Sequence, residues 1–207
     1  MNKNKLFAVL RIVFGVIIVS AIATQFMDSL NNGRSLINFF SFFTIQSNIL
    51  AALLLLAIGS YQLSGKNGKQ IAFFRGAVTL YMTMTGIIYV LLLSGNEVSL
   101  QTTIPWVNLV LHYIMPVVLL ADWLLFPPKY RVPFSRAVYW LMFPAAYFVY
   151  SIVRGSMTGW YPYPFMNPVM NGWPQVIMTC IVIAAGVALL TWLLALRWPK
   201  STKARTA

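Results

Sequence analysis

The chain has a single histidine, His112, and it lies inside a hydrophobic segment, VNLVLHYIMPVVLLADWLLF. An ionisable ring at membrane depth is costly to desolvate and by default marks a functional site. It is also the one side chain here able to accept and return a proton near neutral pH without large tuning. The chemistry to look for is therefore proton transfer, with a partner supplied by another polar group at the same depth. Candidates stand in two segments. FFSFFTIQSNIL carries Ser41, Thr44 and Asn48 at i, i+3 and i+7, and PWVNLVLHYIMP carries Pro105, Asn108, His112 and Pro116 on one face. Thr85, Tyr89, Tyr147, Tyr150 and Thr179 reach a similar depth in other apolar runs.

Each of these has a plainer reading. His112 could be a buried histidine bonded to a neighbouring helix. A membrane threonine usually bonds back to the carbonyl one turn earlier, which for Thr44 is Phe40. Asn48 and Asn108 read first as interhelical bonding groups. Pro116 cannot donate to the carbonyl of His112, so a bend is expected there.

The elements that must position these residues follow from composition. The chain is 207 residues long, 59% hydrophobic and only 9% charged, far from a soluble domain. Its apolar runs predict an all-α, six-helix transmembrane domain with spans at about 6–26, 38–60, 71–93, 106–126, 136–153 and 173–198. Lys66, Asn67, Gly68 and Lys69 separate spans two and three, and Pro127, Pro128 and Pro133 separate spans four and five. Lys3 and Lys5 before an apolar run, with Ala21-Ile22-Ala23 after it, resemble a signal peptide. The run is long for that purpose, and a retained first helix is expected. Cys180 is the only cysteine, so no intrachain disulfide forms.

The net charge of +12 does not predict nucleic-acid binding, because the basic residues flank the spans. All fifteen lysines and arginines except Arg34 and Arg154 fall on one face of the predicted topology, among them Lys3, Lys5, Lys129, Arg131, Arg136, Arg197, Lys200, Lys203 and Arg205. The positive-inside rule then places both termini in the cytoplasm, and the plasma membrane is the expected location. Spans two, four and six share a direction, so Thr44 and His112, each about six residues into its span, share a layer roughly 9 Å below the outer helix ends. The inner halves, such as ILAALLLLAIG and IVIAAGVALL, are plainer. A polar pocket toward the outer leaflet is expected.

Asp122 is the only acid in a predicted span and lies about 15 Å along the helix from His112, too far for a triad. Its depth matches Arg11 and Arg75, so a structural ion pair is expected. Arg154 opens the loop RGSMTGWYPYPFMNPVMNG, stiffened by Pro162, Pro164 and Pro168. Two readings of that loop stand side by side: an interfacial aromatic belt with Arg154 snorkelling, or a lid in which Arg154 holds an anionic head group. GxSxG, HExxH and P-loop motifs, Cys/His metal sets and paired carboxylates are missing from the sequence, and no cofactor is expected.

FFTIQSN, RGAVTLYMTMTG, HYIMPVVLLADW and RGSMTGWYPYP, in that order, resemble the microbial branch of the androgen-induced-protein family of six-span membrane proteins. The resemblance covers roughly residues 6–195. It implies a membrane threonine hydrolase that cleaves fatty acid esters of hydroxy fatty acids, with Thr44 as nucleophile and His112 as base. A weak hydroxyl nucleophile needs such a base within hydrogen-bond reach. A backbone carbonyl, Asn48 or Asn108 would orient the ring, and Asn48, Asn108 and Tyr89 are candidates for stabilising an oxyanion. The partners are then a lipid substrate and the bilayer. The competing classes are a lipid or small-molecule binding or transport protein that uses the same pocket without chemistry, and a structural membrane subunit.

Overall fold

Within lipid a chain must bond every backbone polar group inside its own segment, and for apolar runs of this length that means helices. A computed structural model describes residues 3–64, 71–97, 99–127 and 132–196. Lys66, Asn67, Gly68, Lys69, Pro128, Lys129, Arg131, Arg197, Lys200, Lys203 and Arg205 lie outside the described residues. Within them there are no strands, and six helices are long and apolar enough to cross a membrane. Helix α1 is Lys3–Asn31, α2 a short turn at Leu36–Phe40, and α3 Phe43–Leu63. Helix α4 is Ile71–Leu93, α5 Pro105–Leu125, α6 Phe134–Thr158 and α7 Pro168–Leu196.

Helix α1 packs along α3, α3 against α4, and α4 against α5. Leu55, Leu80, Met82, Leu111, Met115 and Trp140 are fully buried among them. Helices α6 and α7 leave most of their surface outward and meet α4 on its remaining side. Close approach of α4 to α5 depends on Gly86, where a Cβ would stand 2.7 Å from the Pro116 ring. Small residues let membrane helices approach in this way.

At one end of the bundle Asp122 receives two arginines. Arg11 donates from Nε and Nη2 to Oδ1 at 2.8 and 2.6 Å, and Arg75 from Nε and Nη2 to Oδ2 at 3.2 and 2.7 Å. Arg11 also reaches Gln62 Oε1 through Nη1, and Arg75 the Asp122 carbonyl through Nη2. This cluster ties α1, α3, α4 and α5 together.

Several element ends differ from the sequence expectation. Helix α1 runs to Asn31 rather than near residue 26 and carries Asp28 with it, so Asp122 is not the sole acid on a long helix. Asp28 pairs with Arg34 at 2.8 Å. Helix α6 extends past residue 153 to Thr158, ending at Gly159 with φ 73°, so Arg154 lies on the helix and not in the loop. Helix α7 starts at Pro168 and kinks at Gly172, ahead of Pro174, whereas the span was expected to begin near residue 173.

The largest difference is in span two. The expected single helix is broken at Ser41–Phe42, and α3 starts only at Phe43. Ser41 therefore does not share a helical face with Thr44 and Asn48. The break is sustained by α6: Tyr147 Oη donates to the Ser41 carbonyl at 2.9 Å, and Tyr150 Oη meets Ser41 Oγ at 2.7 Å. Freed backbone groups at membrane depth need such partners.

Candidate functional site

Two helices carry short π-helical segments, Tyr89–Leu93 in α4 and Val110–Ile114 in α5. Single π turns inside helices occur frequently at functional sites. Here they lay Tyr89 flat on His112, with ring centroids 4.0 Å apart and planes 22° from parallel. His112 Nδ1 lies 3.3 Å from the carbonyl oxygen of Asn108. A carbonyl only accepts, so that contact assigns the proton to Nδ1 and leaves Nε2 as an acceptor. Nε2 lies 3.2 Å from Thr44 Oγ1. This is the tautomer a general base needs.

Thr44 stands in the first turn of α3, not a turn and a half inside a span. First-turn amides have no acceptor within the helix. The Thr44 N–H donates instead to Tyr163 Oη at 3.3 Å. The Phe40 carbonyl is engaged by Gln46 Nε2 at 2.8 Å, and the Thr44 hydroxyl faces His112.

The remaining polar candidates hold this pair in place. Both Asn48 amide hydrogens are engaged, on the Thr44 carbonyl at 2.9 Å and the Leu111 carbonyl at 3.2 Å. Asn48 thus clamps α3 to the π segment of α5, and it is neither the ring-orienting group nor an oxyanion donor. Asn108 orients the ring through its backbone carbonyl, while its Nδ2 donates to Tyr89 Oη at 2.7 Å. Tyr89 Oη donates in turn to Glu97 Oε1 at 3.1 Å. That proton is committed, so Tyr89 supports His112 by stacking and is not an oxyanion donor. Arg154 donates from Nη2 to Asn38 Oδ1 at 2.6 Å and lies over the Trp160 ring at 4.6 Å. It fastens α2 to the end of α6 and does not line the cavities beside Thr44.

Sequence reasoning missed Glu97 and Tyr163. Glu97 is the one acid in the loop before α5, and its proximity to His112 depends on the chain turning back over Tyr89. Its own amide and the Gly95 N–H, at 3.0 Å, hold its carboxyl below the usual range. From the sequence, Tyr163 reads only as one of the loop's interfacial aromatics, with Trp160, Tyr161 and Phe165. The prolines on either side of it, Pro162 and Pro164, were the available signal. The loop folds inward because Gly155 leaves room for Tyr161, whose ring would meet a Cβ there at 2.2 Å. Burial pushes the Tyr163 phenol up, so it stays a proton donor.

Two cavities meet at Thr44. The larger, of about 380 Å³, lies among α4, α6, α7 and the Tyr163 loop, and its lining is mostly apolar, with Met84, Ile88, Phe148 and Ile183 among its walls. The smaller, of about 30 Å³, is lined on its polar side by Gln25, Gln101, Thr102 and His112. Thr44 and Tyr163 line both. A long apolar group in the larger cavity would present its polar end to Thr44, with the proton acceptor behind it. The larger volume falls in the range of small-molecule sites.

No protein-family model, curated protein or solved structure matches this chain. The fold and the site by themselves define a multi-pass α-helical membrane protein with a buried threonine–histidine pair, its threonine shared by an apolar cavity and a smaller compartment that Gln25, Gln101 and His112 also line.

Proposed function

We propose that the protein is an intramembrane lipid-ester hydrolase with Thr44 as nucleophile and His112 as base, of the kind the androgen-induced-protein resemblance implies. The observation that carries this reading is the 3.2 Å contact between Thr44 Oγ1 and an accepting His112 Nε2 at the wall of an apolar cavity. Nε2 takes the hydroxyl proton as Oγ1 attacks the ester carbonyl, then returns it to the leaving alkoxide. The acyl chain occupies the apolar cavity. Fatty acid esters of hydroxy fatty acids are the substrate class this reading favours, and side chains alone supply the chemistry. A fluorophosphonate hydrolase probe tests it: peptide mapping should find the label on Thr44, and His112→Ala should abolish labelling. An unlabelled Thr44 in folded protein would move the reading to a lipid-binding protein.

Tyr163 supplies the oxyanion donor in this mechanism, since its phenol borders Thr44 and stays protonated. Tyr163→Phe keeps the ring that stacks on Phe165 at 5.4 Å. Removing one such donor costs about 10²–10³ in kcat, so steady-state assays of the variant should show a loss of that order with KM little changed. An unchanged kcat would remove Tyr163 from the mechanism.

The orientation that completes this reading has both termini in the cytoplasm of a plasma-membrane protein. Arg11 and Arg75 meet at one end of the bundle, whereas Arg34 and Arg154 lie by the opposite helix ends. The basic-rich end faces the cytoplasm under the positive-inside rule, which puts Thr44 toward the outer leaflet. Cysteines introduced at Asn67 and at Asn96 should react with an impermeant maleimide from opposite sides of the membrane. Reaction from one side would reject the topology.

A further inference from the structure

We infer that the small compartment behind Thr44 positions the water that releases the acyl group, and that Gln25 and Gln101 are its positioning residues. This inference rests on the acyl-threonine reading above. Gln25 is on α1 and only 4% exposed. Its Nε2 donates to the Gln101 carbonyl at 2.5 Å. Gln101 itself sits at φ 57°, the left-handed region that side-chain-bearing residues rarely adopt. Backbone held in such a conformation clusters at functional sites.

Two polar atoms on these residues are unexplained by the fold. Gln25 Oε1 and Gln101 Oε1 are both buried and have no hydrogen-bond partner. Buried amide oxygens are ordinarily satisfied. Both residues line the compartment that also exposes His112 and Thr44. These oxygens only accept, so the ligand they fit is a hydrogen donor. The compartment is about 30 Å³, above the roughly 10–15 Å³ that one water requires, and a water needs two to four polar partners. The leaving chain of a lipid ester does not fit that volume.

The number of acceptors also suits the second half of the reaction. Once Thr44 is acylated its hydroxyl proton is gone, and His112 Nε2 is again an open acceptor. A water then directs one hydrogen to Nε2 and the other to a glutamine oxygen. Its oxygen attacks the acyl carbonyl while Nε2 takes the first proton. The tetrahedral adduct collapses with cleavage of the bond from the carbonyl carbon to Oγ1. Nε2 returns the proton to Oγ1, leaving a free carboxylic acid and the starting threonine.

The test separates acylation from deacylation, using the full-length protein in detergent with a p-nitrophenyl acyl ester under rapid mixing. Gln101→Met removes the side-chain oxygen and keeps the backbone bond from Gln25. Gln101→Asn suits the left-handed backbone and withdraws the oxygen by one carbon. Both should show a burst of about one p-nitrophenol per chain, then turnover slowed roughly tenfold to a hundredfold, the scale of one or two lost hydrogen bonds. An acyl adduct should accumulate on Thr44 by mass spectrometry, and Gln25→Met should behave alike. Fluorophosphonate labelling of Thr44 keeps the two ideas apart. No label on wild-type Thr44 would defeat the hydrolase reading itself. A labelled wild type whose two Gln101 variants show no burst, or slow in both phases together, would overturn the water site alone.

Discussion

Thr44→Ala and His112→Ala should each reduce ester hydrolysis by about 10³-fold or more, and the double variant should be no worse than either alone. The two side chains act as one unit across a 3.2 Å contact, so removing either disables the proton transfer that the other serves. Neither change should unfold the protein. Thr44 contributes its backbone amide to Tyr163 and its carbonyl to Asn48 whatever its side chain. The His112 contacts that would be lost are one backbone bond, one ring stack and the Thr44 contact itself. Steady-state hydrolysis and thermal unfolding measured on the same preparations check both halves of the expectation. Full activity in Thr44→Ala would end the threonine mechanism, whereas additive losses in the double variant would mean that the pair does not work together.

Asp122→Asn is expected to have the largest effect on stability. One carboxylate faces two guanidinium groups whose side chains are 5% and 11% exposed. Substitution leaves two buried cations beside each other with a single neutral amide between them. Breaking a buried pair in this way costs about 3–5 kcal/mol. Arg11 and Arg75 reach Asp122 from α1 and α4, so the loss should appear as a lower midpoint in heat-challenge size-exclusion measurements and as reduced yield. Activity per folded molecule should be retained, because His112 is roughly 15 Å away along α5. A variant with unchanged melting and no activity would assign Asp122 to the chemistry instead.

The amino-acid sequence by itself determined the helices that can cross a membrane, because their existence follows from the length of apolar runs against the thickness of a bilayer. It also gave Asp122 only two cations at matching depth, so the Arg11 and Arg75 contacts were legible from charge and position. His112 and Thr44 were legible as polar groups in one layer. Only the tertiary structure decided how they meet. The break at Ser41–Phe42 depends on Tyr147 and Tyr150, more than a hundred residues away, satisfying what the broken helix frees. The two π segments follow no periodicity in the sequence, since a shift of hydrogen-bond partner leaves the residue pattern unchanged. Glu97 and Tyr163 come from connecting segments whose course is set by what they pack on. A side chain's depth is fixed by local composition, but the direction it faces and the group it touches depend on contacts between helices, and those contacts place Thr44 against an accepting nitrogen.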